Sequence, residues 1–374
     1  MFRMPTTFRR TLRACAALGA LALIMMIAPV CPAQQFTLPA NPSGFQPGGG
    51  EVLIEAPPQA AAPVAGPGNC APASCYAVDY WIVSTRNCPQ RLGHSSHCCF
   101  EFFRKDCDGR LRRYDLPTFL GSLAPCAPIC CMIHGSFLQW PTVVYDSERT
   151  FHWLRRAAPQ LPLNVVFFTW PSEGRITYLP TVDFAILEKR TGANGFYLAQ
   201  LISQFGQQPV SIIGHSHGAR VAAAALHVLG GGDVQGYRLP CCPPECQRYR
   251  AVMAAAAIDH QWLNPGRKYG QALCRVECLL DLHNSRDWAL AIYPLRNPFS
   301  QRALGRCGLG NRDLRQLGPQ AGKIYEVDAS GYIGRNHSWA AYYPVPELAQ
   351  FVVPYVYFPD LQCPPAGPQM EMAH

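Results

Sequence analysis

Short apolar runs that stop abruptly at a polar residue or glycine recur along most of the chain. They are four to eight residues long and cover 129–133, 164–168, 210–213, 251–258, 278–282 and 324–327. Such runs are typical of strands buried on both faces. Segments of helical period lie between them at 147–158, 185–205 and 217–229, and a last helix is expected near Trp339. The alternation predicts an α/β fold with a mostly parallel sheet and helices on both faces.

The chain before residue 129 predicts a less regular start. The aromatic and β-branched run 78–84 is typical of a strand, 99–103 predicts a second, and 107–110 predicts a turn. Residues 34–75 are rich in Pro, Gly, Ala and Gln and predict a linker. We therefore expect one folded domain over 76–360 and a disordered tail over 361–374.

The first 33 residues have the pattern of a signal peptide. Four arginines precede an uncharged apolar run from Ala14 to Val30, and Cys31-Pro32-Ala33 offers a small-residue cleavage site. An uncleaved membrane anchor is the alternative, because the run approaches spanning length. The pattern predicts an extracytoplasmic protein, secreted, periplasmic or attached to the envelope, with membrane association only if the segment is retained.

Charge argues against a nucleic-acid partner. The chain has a formal net charge of +8, and removing the four arginines of the signal lowers it to +4. No basic cluster appears elsewhere, so the electrostatic footprint that nucleic-acid binding needs is missing from the sequence.

Cysteine content agrees with export. The chain has 18 cysteines, of which Cys15 and Cys31 lie in the signal, leaving an even number. In an oxidising compartment this count indicates disulfides, many of them in cysteine-rich insertions such as 239–249. Zinc binding at 94–99, which contains two histidines and two cysteines, is the alternative. Neighbouring Cys-Cys pairs suit one tetrahedral ion poorly, so we predict disulfides and no metal.

The most informative motif is Gly-His-Ser-His-Gly at 214–218, which matches G-x-S-x-G. It follows a short buried strand and opens an alanine-rich helix, the context in which this motif presents a nucleophilic serine. The flanking glycines keep side chains away from the tight turn. We therefore predict that Ser216 is a nucleophile.

A serine nucleophile needs a base and an orienting acid, which follow it in the order acid, then histidine, in enzymes with this motif. His337 lies after the last predicted strand and is the expected base. Asp287 follows the strand 278–282 and is the preferred acid, with Asp259, after the strand before it, as the alternative.

An oxyanion hole needs preorganised N–H donors. One is expected from the backbone of His217, directly after the nucleophile. The other is expected from Ser136 or Phe137, in the loop after the strand 129–133, with His134 holding that loop.

At these motifs the chain resembles the α/β-hydrolase superfamily and is similar to a bacterial branch of serine hydrolases of unassigned substrate. The matching pieces are Ile133-His134-Gly135, Phe168-Thr169-Trp170-Pro171-Ser172, Gly214 to Arg220, Ala256 to Asp259, and Asn284 to Asp287. The resemblance implies the α/β-hydrolase fold over about 76–358. His217 departs from it, because that branch often has methionine there.

These features predict an exported serine hydrolase that cleaves a small-molecule or lipid carboxylic ester through an acyl-enzyme, with no cofactor. The alternative is a catalytically silent binding protein of the cell envelope that uses the same fold as a scaffold.

Overall fold

The computed structural model describes residues 79–93, 100–106, 108–173, 180–240, 247–296 and 300–360. Within them a nine-stranded sheet has the order β3-β2-β1-β5-β4-β6-β7-β8-β9. The strands are β1 Tyr80–Ser84, β2 Glu101–Lys105, β3 Leu111–Tyr114, β4 Ile129–Ile133, β5 Asn164–Thr169, β6 Val210–His215, β7 Tyr249–Ala254, β8 Cys278–His283 and β9 Ile324–Asp328. Only the β1–β2 and β2–β3 pairs among these are antiparallel.

Helices connect the parallel strands. They are α1 Leu116–Ser122, α2 Trp140–Ala157, α3 Pro180–Ile202, α4 His217–Leu229, α5 Ala272–Arg275, α6 Trp288–Ala291, α7 Leu304–Cys307, α8 Asn311–Leu317, α9 Ser330–Ile333 and α10 Pro346–Val356. Short 3-10 turns cover Tyr293–Arg296, Gly318–Lys323 and Trp339–Ala341. None of the helices within the described ranges is both long and apolar enough to cross a membrane.

Two apolar layers cover the sheet. On one face α1, α3, α4 and α5 pack against the strands, and on the other face α2 and α10 do so. Alternate residues of each strand contribute to opposite layers, as Cys131 and Cys130 of β4 show. The α/β fold with a mostly parallel sheet and helices on both faces, expected from the apolar runs, is thereby confirmed.

Several elements differ from the sequence-based expectation. α2 begins at Trp140 rather than near Ser147, and Trp339 begins a 3-10 turn of three residues, with the last helix following at Pro346. The run 251–258 is only partly strand, because β7 ends at Ala254 and the chain then leaves the sheet. The apolar pattern marks the buried part of each element, not its ends.

The cysteines give a mixed result. The cysteine count predicts disulfides, but Cys130 and Cys131 are fully buried free thiols in β4 and so do not belong to that set. Cys88 is disulfide-bonded, whereas Cys274, Cys278 and Cys307 are free thiols. The segments 94–99 and 241–246 fall outside the described residues, as do the signal peptide, the linker 34–75 and the tail 361–374, so the cysteine-rich insertions stay a prediction.

Candidate active site

Ser216 occupies a strained turn between β6 and α4. Its φ of 54° and ψ of −120° lie outside the regions that non-glycine residues favour. A Cβ on Gly214 would lie 2.5 Å from Ala219 Cα, and one on Gly218 would lie 2.3 Å from the Ile133 carbonyl oxygen. The two glycines are therefore needed for strand, turn and helix to approach this closely, and the turn leaves Ser216 7% exposed at the carboxyl edge of the sheet.

Ser216, His337 and Asp287 form one chain of hydrogen bonds. His337 Nδ1 lies 2.6 Å from Asp287 Oδ2, and His337 Nε2 lies 2.9 Å from Ser216 Oγ. Because a carboxylate only accepts, Nδ1 carries the proton, and Nε2 is left to accept from the serine hydroxyl. The structure thus brings together the three residues that the sequence assigned as nucleophile, base and acid, in the order that nucleophilic catalysis uses.

Asp287 is held from both sides. It is fully buried, and its Oδ1 accepts a hydrogen bond from the Leu290 N–H at 2.9 Å, which caps α6. The buried Asn284 donates through Nδ2 to the Asn336 carbonyl oxygen at 3.0 Å. The loop that carries the acid is therefore tied directly to the loop that carries His337.

His215, the residue before Ser216, holds His337 in position. Its Nε2–H donates to the His337 carbonyl oxygen at 2.7 Å, and its ring packs against Trp339 and Tyr342. Burial lowers the pKa of His215 to about 3, so the ring is neutral and keeps one proton for this bond. Sequence reasoning missed His215, because G-x-S-x-G allows any residue at that position.

Asp259, the alternative acid, is engaged elsewhere. Its Oδ1 accepts from Arg296 Nη2 at 2.7 Å and from the Tyr293 hydroxyl at 3.1 Å. Arg296 also pairs with Glu188, which contacts the fully buried Arg220. Asp259 therefore belongs to a buried ion-pair network beside α4 and not to the hydrogen-bond chain of Ser216. His260 pairs with Asp313 and not with Asp259.

The predicted oxyanion donors differ in availability. Among the described residues, the backbone N–H groups of His217 and Ser136 have no backbone acceptor, whereas the Phe137 N–H donates to the Ser172 carbonyl oxygen at 2.6 Å. Phe137 is therefore not free to donate in this arrangement. A Cβ on Gly135 would lie 3.2 Å from Ser216 Cβ, so the loop preceding Ser136 lies directly against the nucleophile.

Side chains fasten this loop in place. The Ser136 hydroxyl and His217 Nδ1 are hydrogen-bonded at 2.5 Å. His134 contacts Thr169 Oγ1 at 2.8 Å, and Trp170 Nε1 donates to the His134 carbonyl oxygen at 3.0 Å. Burial lowers the pKa of His134 to about 3. These contacts agree with a structural role for His134, and they place Trp170 behind the loop.

An apolar wall stands beside the nucleophile. Phe184 of α3 lies with its ring centroid 6.1 Å from that of His217 and 5.3 Å from that of Phe137. Phe137 is 47% exposed, whereas Phe184 is half-buried and His217 is buried. Aromatic surface at this point suits the hydrocarbon part of a substrate. No sequence signal singled out Phe184, because its position follows from tertiary packing.

Comparisons with known proteins add little to this geometry. No family model matches the chain, and no curated protein matches it either. Among solved structures, an iodinated complex of acetyl xylan esterase aligns with 15% identity over 62% of this chain and 99% of that chain, at a TM-score of 0.29. A similarity this low says nothing about shared catalytic residues or activity, so the function of this chain depends on its own residues.

Proposed function

We propose that the chain is an exported serine hydrolase that cleaves a carboxylic ester through an acyl-enzyme. The observation that carries the proposal is the unbroken hydrogen-bond chain from Ser216 Oγ through His337 to the buried Asp287, with Ser216 raised on a strained turn. The signal-like segment at the start of the sequence supports export.

The reaction follows from the contacts. Ser216 Oγ attacks the ester carbonyl carbon while His337 Nε2 takes its proton. The Asp287 carboxylate holds His337 Nδ1–H and stabilises the imidazolium that forms. His337 then protonates the departing alcohol, and a water molecule, deprotonated by the same ring, attacks the acyl-enzyme to release the acid and regenerate Ser216.

The negatively charged oxygen of each tetrahedral intermediate must be stabilised by hydrogen-bond donors. Of the three predicted donors, the backbone N–H groups of His217 and Ser136 have no backbone acceptor among the described residues, and His217 opens α4, whose N-terminus favours negative charge. Removing one such donor typically costs about 10²–10³ in kcat. The rings of Phe137 and Phe184 would receive an apolar portion of the substrate, so we assign the substrate to small-molecule or lipid esters.

The test uses a fluorophosphonate probe and p-nitrophenyl esters of increasing acyl length. Wild-type protein should be labelled stoichiometrically and should turn over at least one ester. Ser216→Ala should lose both properties, because the proposed acyl-enzyme forms on the Ser216 hydroxyl. Ser203→Ala, which changes a serine near the end of α3, is the matched control and should behave as wild type.

Labelling that persists in a folded Ser216→Ala protein would remove Ser216 from the mechanism. An unlabelled, inactive but folded wild-type protein would instead support the catalytically silent binding protein that uses the same fold.

A further inference from the structure

Three side chains that the proposed reaction does not use converge between β8 and β9. Asp281, His283 and Glu326 each offer one ligand atom, and these atoms all lie within 4.8 Å of one another. Asp281 and His283 are two residues apart on β8 and so share a face of the sheet, and Glu326 is the register partner of Asp281 on β9. The cluster is therefore fixed by regular strand geometry.

Asp281 has no counter-charge in the described part of the chain. It is fully buried, and neither of its carboxylate oxygens has a hydrogen-bond partner there. No lysine or arginine of the described residues forms an ion pair with Asp281 or Glu326. The neighbouring His283 also has its Nδ1 buried and without a partner among those residues. A buried carboxylate without compensation is costly, so this arrangement favours binding of a cation or retention of a proton.

The backbone at Gly308 and Leu309 packs against the cluster formed by Asp281, His283 and Glu326. Gly308 has a φ of 60°, and a Cβ there would lie 2.4 Å from Glu326 Oε1 and 3.8 Å from His283 Nδ1. The Leu309 N–H donates to Glu326 Oε1 at 2.7 Å and so orients that carboxylate. A side chain at position 308 would therefore occupy the space beside the Glu326 carboxylate and the His283 ring.

We propose that Asp281, His283 and Glu326 bind one divalent transition-metal ion of the zinc type. One imidazole and two carboxylates form a nitrogen and oxygen donor set that zinc accepts, with water completing the tetrahedron. A doubly positive ion would balance the two carboxylates. Zinc lies about 2.0–2.2 Å from such ligands, so a small inward movement of the three side chains is enough to form the site.

The position of the site suggests what the ion does. His283 ends β8, and the loop that begins at Asn284 carries the acid Asp287. An ion bound by residues of both β8 and β9 would hold the carboxyl end of β8 in place. The loop that carries Asp287 begins at that end. The ion would thus be structural, and its binding would appear in stability as well as in activity.

Zinc uptake by the full chain tests the proposal. Protein stripped with a chelator should take up one equivalent of Zn²⁺ in titration calorimetry, and its Tm should rise. Asp281→Asn and Glu326→Gln should each lower the zinc affinity at least tenfold and abolish the rise in Tm. Glu347→Gln, which changes an exposed glutamate in the first turn of α10, is the matched control and should bind as wild type.

Two outcomes would overturn the site. Cys307 is a free thiol that directly precedes Gly308 in the chain, so a loss of binding in Cys307→Ser with retention in Asp281→Asn would assign the ion to that thiol. If stripped wild-type protein takes up no zinc and Asp281→Asn is equally or more stable, Asp281 is simply protonated in the folded protein. Glu326→Gln only neutralises an exposed carboxylate, so it still tests the site if Asp281→Asn does not fold.

Discussion

The two candidate acids, Asp259 and Asp287, differ in the groups that bind their carboxylates. Asp259 has an arginine and a tyrosine hydroxyl as partners, whereas Asp287 meets the histidine and one backbone N–H. The guanidinium holds Asp259 in a structural ion pair. Of the two aspartates, therefore, only Asp287 accepts the hydrogen bond from His337 Nδ1.

Exchanging each acid for its amide separates these roles. Asp287→Asn should lower kcat by about 10⁴, because the amide favours the wrong tautomer of His337 while keeping its geometry. Asp259→Asn should change kcat only a few-fold and should lower the free energy of unfolding, because it leaves the Arg296 charge buried with less compensation. Ester kinetics and urea unfolding of both proteins check this. A larger loss of kcat in Asp259→Asn would exchange the two assignments.

Residue types and their order predict Ser216, His337 and Asp287 as one catalytic set, and the structure brings these three side chains together. A strand, a G-x-S-x-G turn and a helix mark the candidate nucleophile, and the later polar loops mark its candidate partners. His215, Asn284 and Phe184 could not be found in this way, because each acts through a contact with a residue distant in sequence. The choice between Ser136 and Phe137 as a donor likewise depended on a backbone hydrogen bond that no sequence pattern encodes.

At the scale of secondary-structure elements, the turn between β6 and α4 depends on close backbone approach. Gly218 lies where α4 meets the end of β4, whereas Gly121 lies on the exposed side of α1, where an added Cβ would contact nothing within 4 Å. Replacement by alanine should therefore have opposite effects on stability at the two positions.

Gly218→Ala should destabilise the protein by about 1–3 kcal/mol or prevent folding, because the methyl group overlaps the Ile133 carbonyl oxygen. Gly121→Ala should leave stability unchanged or raise it by up to about 1 kcal/mol, because alanine is the better helix former. Urea unfolding measures both. Equal stabilities for the two variants would contradict the packing described for the turn.

Elements with strong apolar runs were predictable, and weakly patterned ones were not. α4 was expected over 217–229 and has those bounds, since every residue in it is buried. β3 was missed because it reads Leu-Arg-Arg-Tyr and lies at the sheet edge, where only β2 pairs with it. The start of α2 was missed because its first turn has few buried residues.

At the scale of the whole molecule, burial of neutral histidines couples stability to pH. The pKa of His215 is about 3 in the folded protein, against an ordinary 6.5, because burial disfavours the charged ring. Between these values the unfolded chain binds more protons at this site than the folded protein does. Stability therefore rises with pH across this window and is lost as the pH falls from 6.5 toward 3.

His215→Phe isolates this contribution from carboxyl groups of opposite sign, such as Asp146, whose pKa burial raises to about 6. The variant should be less stable at pH 7, since the His337 carbonyl loses its donor. Its free energy of unfolding should also depend less on pH, by up to ~1.4 kcal/mol per pH unit. Unfolding free energies from urea titrations at pH 4 to pH 7 would measure both slopes, and equal slopes would show that folding does not change the pKa of His215.

The distance along the chain between Ser216 and His337 has a consequence for when the protein can first act. The two residues are 121 positions apart, and strands β7, β8 and β9 are laid down between them. Contacts of such separation form late, after much loop closure has been completed. A partly folded or still emerging chain thus holds a serine without its base. Under the proposed function, ester hydrolysis would report completed folding, and the chain would be inactive during any translocation in an unfolded state.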